Sequence, residues 1–314
     1  MSTNLPDRPS STHCGPWTVT RASLEQSPGE TPKTPSQIMM ERETHVSFGQ
    51  VPHSLFDDLL GEMSWQLSDD RFLLRGEGDH YFLYCRGEGL TVERGENIDV
   101  SEESLWLNGR VYSAIASMNG LMPIHASAVA FDDKVFAFTA PAGGGKSTLV
   151  AALANHGLPM FCDDTLLLDP SDSDRILCLP GHKRLKLRPD AVGLTCAVPR
   201  EKVSKTVDKF YAEPAAGDVG VALPLGELVF LETGPQPVIA PIAGAERFVR
   251  MQDDHYTAHL FAEARKFDRA GLFTHLARMA TQIPMARFVR PVDAASFEEG
   301  VERVANRVKS RGLT

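Results

Sequence analysis

The run Ala140-Pro-Ala-Gly-Gly-Gly-Lys-Ser-Thr148 constrains this chain more than any other stretch. A strand-like segment, Lys134-Val-Phe-Ala-Phe-Thr139, leads into it, and a helix-like segment, Leu149-Val-Ala-Ala-Leu-Ala-Asn155, leads out. Strand, glycine loop and helix form the context of a phosphate-binding P-loop. Glycines let the backbone wrap closely around phosphate oxygens, because no Cβ blocks the approach. The loop N–H groups then point inward, and the helix start adds partial positive charge. On this reading Ala142, Gly143, Gly144, Gly145, Lys146, Ser147 and Thr148 bind the phosphates of a nucleotide. Lys146 reaches the β- and γ-phosphates and the Ser147 hydroxyl sits on Mg²⁺. The first position of the pattern is Ala140 rather than glycine, a mild departure unless that position needs a positive φ. The plain alternative is a glycine-rich turn followed by a chance Lys-Ser-Thr.

Bulk properties narrow the setting. With 314 residues and 42% hydrophobic side chains, the chain can hold one large domain or two modest ones. Its net charge of -9 disfavours a nucleic-acid partner. The five cysteines, Cys14, Cys85, Cys162, Cys178 and Cys196, have no metal or redox spacing and read as reduced thiols in a cytosolic protein. There is no N-terminal apolar segment and no run of about 18 apolar residues, so neither export nor membrane insertion is expected.

The chain divides into three regions. Residues 1 to about 44 read as a disordered tail, with Pro6, Pro9, Pro16, Pro28, Pro32 and Pro35 scattered among Ser, Thr and Glu. A partner-binding arm anchored by Trp17 and Val19 is the alternative there. Residues 45 to about 122 read as a small β-rich module. Its strand-like runs are Arg71 to Arg75, His80 to Cys85 and Leu90 to Glu93, followed by a helix over Val111 to Met118. Residues 123–314 form the third region. Ile124 to Phe131 and Lys134 to Thr139 read as a hairpin turning at Asp132 and Asp133. Further on come a strand over Leu225 to Leu231, helices over Ala243 to Gln252, Asp253 to Lys266 and Arg269 to Gln282, a strand over Met285 to Arg290, and a helix from Ser296.

Asp163 and Asp164 end an apolar strand seventeen residues past Lys146. In a parallel sheet that strand would lie beside the P-loop strand and deliver both acids to the phosphate edge. One acid can help hold Mg²⁺, with Ser147 and Asp164 as the candidate ligands. The other can accept the proton of an attacking hydroxyl. The two roles stay unseparated, and an Asp-Asp turn without chemistry is the alternative. His125 is either a hydrogen-bonded core residue or a support for these acids. Arg184, Lys186 and Arg188 would share one face of a strand, suited to phosphate or acidic groups, or else form a solvated edge. Lys202, Lys205 and Lys209 fall in a charged stretch expected as a mobile loop over the nucleotide. His255 and His259 have i, i+4 spacing but no third ligand, and with His275 they read as structural.

Together, Ile124-His-Ala-Ser-Ala-Val, the loop Ala140 to Thr148, the strand Leu158 to Leu168 with its acid pair, and Lys186-Leu-Arg-Pro-Asp190 carry a resemblance. The chain resembles the HPr-kinase-related serine kinases, whose core is similar to that of phosphoenolpyruvate carboxykinase. The likeness covers about residues 105 to 310 and, more loosely, the β-rich module. It implies an α/β P-loop kinase core that transfers phosphate from ATP, with Mg²⁺, to a serine of a peptide or small protein. It further implies that Lys146 and Ser147 bind phosphate and metal, that Asp163 and Asp164 form the reacting acid pair, and that His125 supports them. Relatives that assemble into rings make a homo-oligomer an expectation. The acidic glycine-rich signature of bifunctional HPr kinase/phosphorylases is replaced here by Leu179-Pro-Gly-His-Lys-Arg-Leu-Lys-Leu-Arg188, which disfavours HPr as substrate. The chain is more similar to the kinases of peptide-maturation clusters, including lasso-peptide precursor kinases. A nucleotide switch or scaffold without transfer activity is the rival from another class.

Overall fold

A computed structural model describes residues 33–313 except 59, 63, 97–98, 182–184, 196, 206, 214–218, 252–255 and 267; the side chain of Tyr256 is also outside the description. The expected tail of residues 1–32 therefore lies outside the described residues, as do Cys14 and Cys196. Its last part is corrected: Pro35–Glu43 is a helix, α1. A capping box starts it. Thr34 Oγ1 accepts from Gln37 N (3.2 Å), and Gln37 Oε1 accepts from Thr34 N (3.0 Å). Proline at the first helical position loses no hydrogen bond. The helix is tied to the fold by its far end, where Met40 and Glu43 are buried.

Strands β1 (Val46–Phe48), β2 (Trp65–Leu67), β3 (Arg71–Arg75), β4 (Tyr81–Cys85) and β5 (Gly89–Glu93) make one sheet in the order β1-β5-β4-β3-β2. Alternation sends Phe72, Leu74, Phe82 and Tyr84 to one face and Leu73 and Tyr81 to the other. The first face packs on α2 (Val100–Trp106), which passes through a π-helical turn, Leu107–Val111, into α3 (Tyr112–Met118). This apolar cluster also takes in Leu167, Leu179 and Leu260, so the β-rich part shares core with the rest of the chain.

The remaining elements are β6 (Met122–Ile124), β7 (Ala126–Phe131), β8 (Lys134–Thr139), α4 (Lys146–Asn155), β9 (Met160–Cys162), β10 (Leu166–Asp169), β11 (Leu177–Leu179), β12 (Leu185–Leu187), α5 (Pro189–Thr195), β13 (Val198–Lys202), β14 (Phe210–Glu213), β15 (Leu223–Thr233), β16 (Val238–Ile242), α6 (Ala245–Met251), α7 (Tyr256–Ala264), α8 (Arg269–Gln282), β17 (Met285–Arg290) and α9 (Phe297–Gly312). Around β8 the sheet runs β9-β7-β8-β15-β17-β16. β11 joins the start of β15 and carries the sheet on through β10 to β6. Within β8, Val135 and Ala137 face the cluster containing Leu276 and Met279 of α8, whereas Phe136 and Phe138 face Val150 of α4 and Val304 of α9. The fold is therefore a mixed α/β layer arrangement with helices on both faces of the sheet.

Two expectations change. The acid-bearing strand β9 does not lie beside β8, because the hairpin folds β7 onto that edge, with the turn taken by Asp132 and Asp133 at φ 48° and 56°. β9 pairs with the far side of β7. Two antiparallel steps leave β9 pointing the same way as β8, so its acids still emerge at the loop's edge. The stretch carrying Lys202, Lys205 and Lys209 is not an open loop. It links β13 to β14 and is closed by Val203 N donating to Lys209 O (2.9 Å), because Val203 is fully buried. Among the described residues no helix is long and apolar enough to cross a membrane.

Candidate active site

The loop between β8 and α4 is built on left-handed backbone: Gly143 has φ 79° and Gly145 φ 81°. Ala140 does not adopt a positive φ, so its methyl group is tolerated at the first position of the pattern. Lys146, Ser147 and Thr148 form the first turn of α4, while Ala142 and Gly143 are exposed at the loop's tip. Lys146 folds back, its Nζ donating to Ala140 O (2.8 Å) and Pro141 O (3.3 Å). Burial pulls the Lys146 ammonium down to about 8; Asp163 and Asp164 pull the other way, and Lys209 adds to the lowering.

Asp163 is 1% exposed and takes three donors. Ser127 Oγ (2.6 Å) and Ser147 Oγ (2.8 Å) donate to its Oδ1, and the backbone N–H of Lys186 donates to Oδ2 (3.0 Å). The acid that meets Ser147 is thus Asp163, where the sequence reading pairs Ser147 with Asp164 for a metal. The cause is the backbone. Asp164 has φ 76°, a conformation a non-glycine residue adopts only when its surroundings enforce it, and its carboxylate turns toward other partners. Lys186 Nζ donates to Asp164 Oδ2 (2.8 Å), and His125 Nδ1 stands 3.4 Å from Oδ1. His125 Nδ1 is also 2.9 Å from the Asp164 carbonyl oxygen; a carbonyl only accepts, so that nitrogen carries the hydrogen. Burial alone would raise the Asp164 carboxyl, but the charge and hydrogen bond of Lys186, with His125 and Lys209, hold it down to about 2. Lys186, conversely, is raised: burial opposes its charge, and Asp164 and Asp163 outweigh burial.

Of the expected cationic face, Lys186 alone joins the acids among the described residues. Its neighbours Leu185 and Leu187 are buried, as alternation requires. Arg188 leaves the strand before Pro189, is 63% exposed and lies 3.6 Å from Asp190. Arg184 and His255 lie outside the described residues. His259 packs edge-on against Trp65 at 5.7 Å, and among the described residues no cluster of three His, Cys, Asp or Glu side chains could hold a metal alone. A hydroxyl and carboxylates at a phosphate cradle nonetheless fit Mg²⁺, a hard cation that takes one or two protein oxygens and completes its shell with phosphate and water. The loop itself is packed too tightly for a side chain at Gly144, where a Cβ would stand 2.5 Å from the Ala140 Cβ.

No protein-family model matches the chain, and no curated protein matches it. Among solved structures, the HPr(Ser) kinase/phosphatase from Coxiella burnetii is similar over 60% of this chain and 97% of its own, at a TM-score of 0.32 and 13% identity.

Three site residues escaped the sequence reading. Ser127 sits two positions after His125, so strand alternation puts both on one face, a signal that was present. Thr139 Oγ1 donates to His125 O (3.1 Å) and ties that histidine to the end of β8. Arg290, at the end of β17, donates to Gly144 O (2.8 Å); no local pattern announces that register.

Proposed function

We propose that this chain is an ATP-dependent, Mg²⁺-requiring kinase that transfers the γ-phosphoryl group to a serine hydroxyl of a peptide or small protein, a lasso-type precursor peptide first among them, in the cytoplasm. The observation that carries this reading is the contact between Ser147, in the first turn of the helix after the P-loop, and Asp163, with a second, ionised acid next to it. Ser147 and Asp163 would hold Mg²⁺, which when bound neutralises and orients the phosphates. Lys146 would exchange its bonds to Ala140 O and Pro141 O for phosphate oxygens. The loop N–H groups would carry the negative charge that shifts toward the leaving diphosphate.

Asp164, the neighbouring acid, would orient the acceptor hydroxyl. A carboxylate held at about 2 is a weak base. Its service is to accept the serine hydrogen bond and aim the oxygen, taking the proton late, as the new P–O bond forms and the bond to the diphosphate breaks. Lys186 keeps Asp164 charged, and His125 fixes its backbone.

The direct test is mass spectrometry of candidate precursor peptides after incubation with the protein, ATP and Mg²⁺. A gain of one phosphate on a serine, lost in Lys146→Ala, is the expected result. ATP binding without phosphate gain on any peptide would favour the switch or scaffold. Ser127→Ala supplies a finer check. Losing a buried donor to a carboxylate is worth about 1.5–3 kcal/mol, so kcat should fall about tenfold or more. Ser127→Thr, which keeps the hydroxyl, should recover most of the rate. A packing role alone would not distinguish the two variants in kcat.

A further inference from the structure

Beyond Gly145, the loop and the ends of β15 and β17 line an open cleft of about 670 Å³. Phe230, Glu232, Thr233, Arg250 and Arg290 contribute to its walls. The acid pair is elsewhere. β9, which carries it, lies on one side of β8 beyond β7, whereas β15 and β17 lie on the other. The loop thus divides a reacting end, at Ser147, Asp163 and Asp164, from an open cleft on its far side.

Arg290 marks the passage between them. Its Nη2 donates to Gly144 O (2.8 Å) and stands 2.5 Å from where a Cβ on Gly145 would be, so glycine at 145 is what admits the guanidinium. The other arginine of this wall, Arg250, is paired with Glu232 (2.6 Å) and Glu246 (3.3 Å), and Arg287 nearby on β17 is paired with Glu246 (2.8 Å). Arg290, among the described residues, has no carboxylate partner, and burial depresses its pKa below the ordinary guanidinium value. A half-buried cation answered only by a carbonyl oxygen is a costly arrangement until an anion meets it.

Resting on the reading of the loop as a nucleotide cradle, we propose that the donor's phosphate chain runs from Ser147 across the loop to Arg290, and that its nucleoside occupies the cavity beside Thr233. The volume suits a nucleoside, falling within the roughly 300–1,000 Å³ of ordinary ligand sites. A guanidinium fork matches phosphate oxygens. The Glu232 carboxylate is held by Arg250 and keeps lone pairs for ribose hydroxyls. The acceptor peptide then approaches from the Asp164 side, and the two substrates do not compete for space.

The test compares binding of ADP and of inorganic tripolyphosphate, each with Mg²⁺, to the full chain and to two variants. Thr233 is exposed at the end of β15, so Thr233→Trp fills the cavity without disturbing the core. It should weaken ADP at least tenfold and leave tripolyphosphate within about twofold, which also reports an intact loop. Arg290→Ala should weaken both ligands about tenfold or more, one charge-assisted contact being worth about 1.5–3 kcal/mol. If wild-type protein binds ADP and Thr233→Trp binds it equally, the placement of the nucleoside is wrong while the kinase reading stands. The placement is equally wrong if Thr233→Trp raises only the peptide KM, since the cavity then takes the acceptor. If the wild-type protein binds neither ADP nor tripolyphosphate, the kinase reading falls and this placement with it.

Discussion

Asp164→Asn should slow phosphoryl transfer by about 10²–10⁴-fold while ADP affinity stays within about threefold. The substitution is chosen for what it preserves. Asparagine is among the few residues that tolerate a positive φ, so the backbone at 76° is kept. Its amide oxygen can still accept from Lys186. What disappears is the negative charge that would draw on the acceptor hydroxyl and the site that takes its proton. Binding should persist because the loop amides, Lys146 and Ser147 do not depend on Asp164 for position; the carboxylate that Ser147 touches is Asp163. The measurement is kcat at saturating peptide, beside ADP titration. A kcat within threefold of wild type would remove Asp164 from the chemistry.

The pH profile supplies an independent arm. With Asp164 held at about 2, no acid limb above pH 3 belongs to it in the wild type. Lys186→Met removes the largest influence lowering that value, so the carboxyl rises and an acid limb should move up into the measurable range. The sign is fixed by the requirement for the ionised form: activity is lost as pH falls through the raised value.

Local signals and distant ones fared differently. The glycine loop was legible because its shape is set by consecutive backbone positions, and the glycines that take left-handed φ are written in the sequence at 143 and 145. The acid pair was legible as the end of an apolar strand. Its neighbour was not. β7 lies between β8 and β9 because a tight hairpin pairs before any long-range strand can, and register over that distance leaves no trace in periodicity. Arg188 shows the same limit on a smaller scale. Alternation puts it on the face of Lys186, but Pro189 ends the strand at once, so one side chain reaches Asp164 and the other reaches solvent. In the opposite sense, Thr34-Pro-Ser-Gln37 is a complete capping box, masked by the prolines around it. What holds the resulting helix in place is a residue more than forty positions from two of its partners.

That residue is Glu43, and Glu43→Ala should lower the stability of the fold by about 1–3 kcal/mol, the cost of leaving a buried group unpaired. The Glu43 side chain is buried at the end of α1. Its Oε2 accepts from Tyr84 Oη (2.7 Å) and from Gly87 N (2.7 Å), and its Oε1 accepts from Arg42 Nη2 (2.6 Å). Truncation strands the Tyr84 hydroxyl, which retains the Asn119 donor but loses its acceptor within the cluster of Phe72, Leu90 and Ile115, whereas the exposed Gly87 can turn its N–H to water. The contribution also has a pH signature. Burial opposes ionisation of Glu43, but the bonds from Gly87, Tyr84 and Arg42 outweigh it and hold the carboxyl below its ordinary value of 4.5. A pKa lower folded than unfolded means stability that is present above the unfolded value and lost as pH falls through the folded one. Urea melts at pH 7 and pH 3 should therefore differ: the deficit of Glu43→Ala against wild type shrinks at the lower pH. A deficit under about 1 kcal/mol at pH 7, equal at both pH values, would mean that α1 is held by Met40 and apolar contact alone.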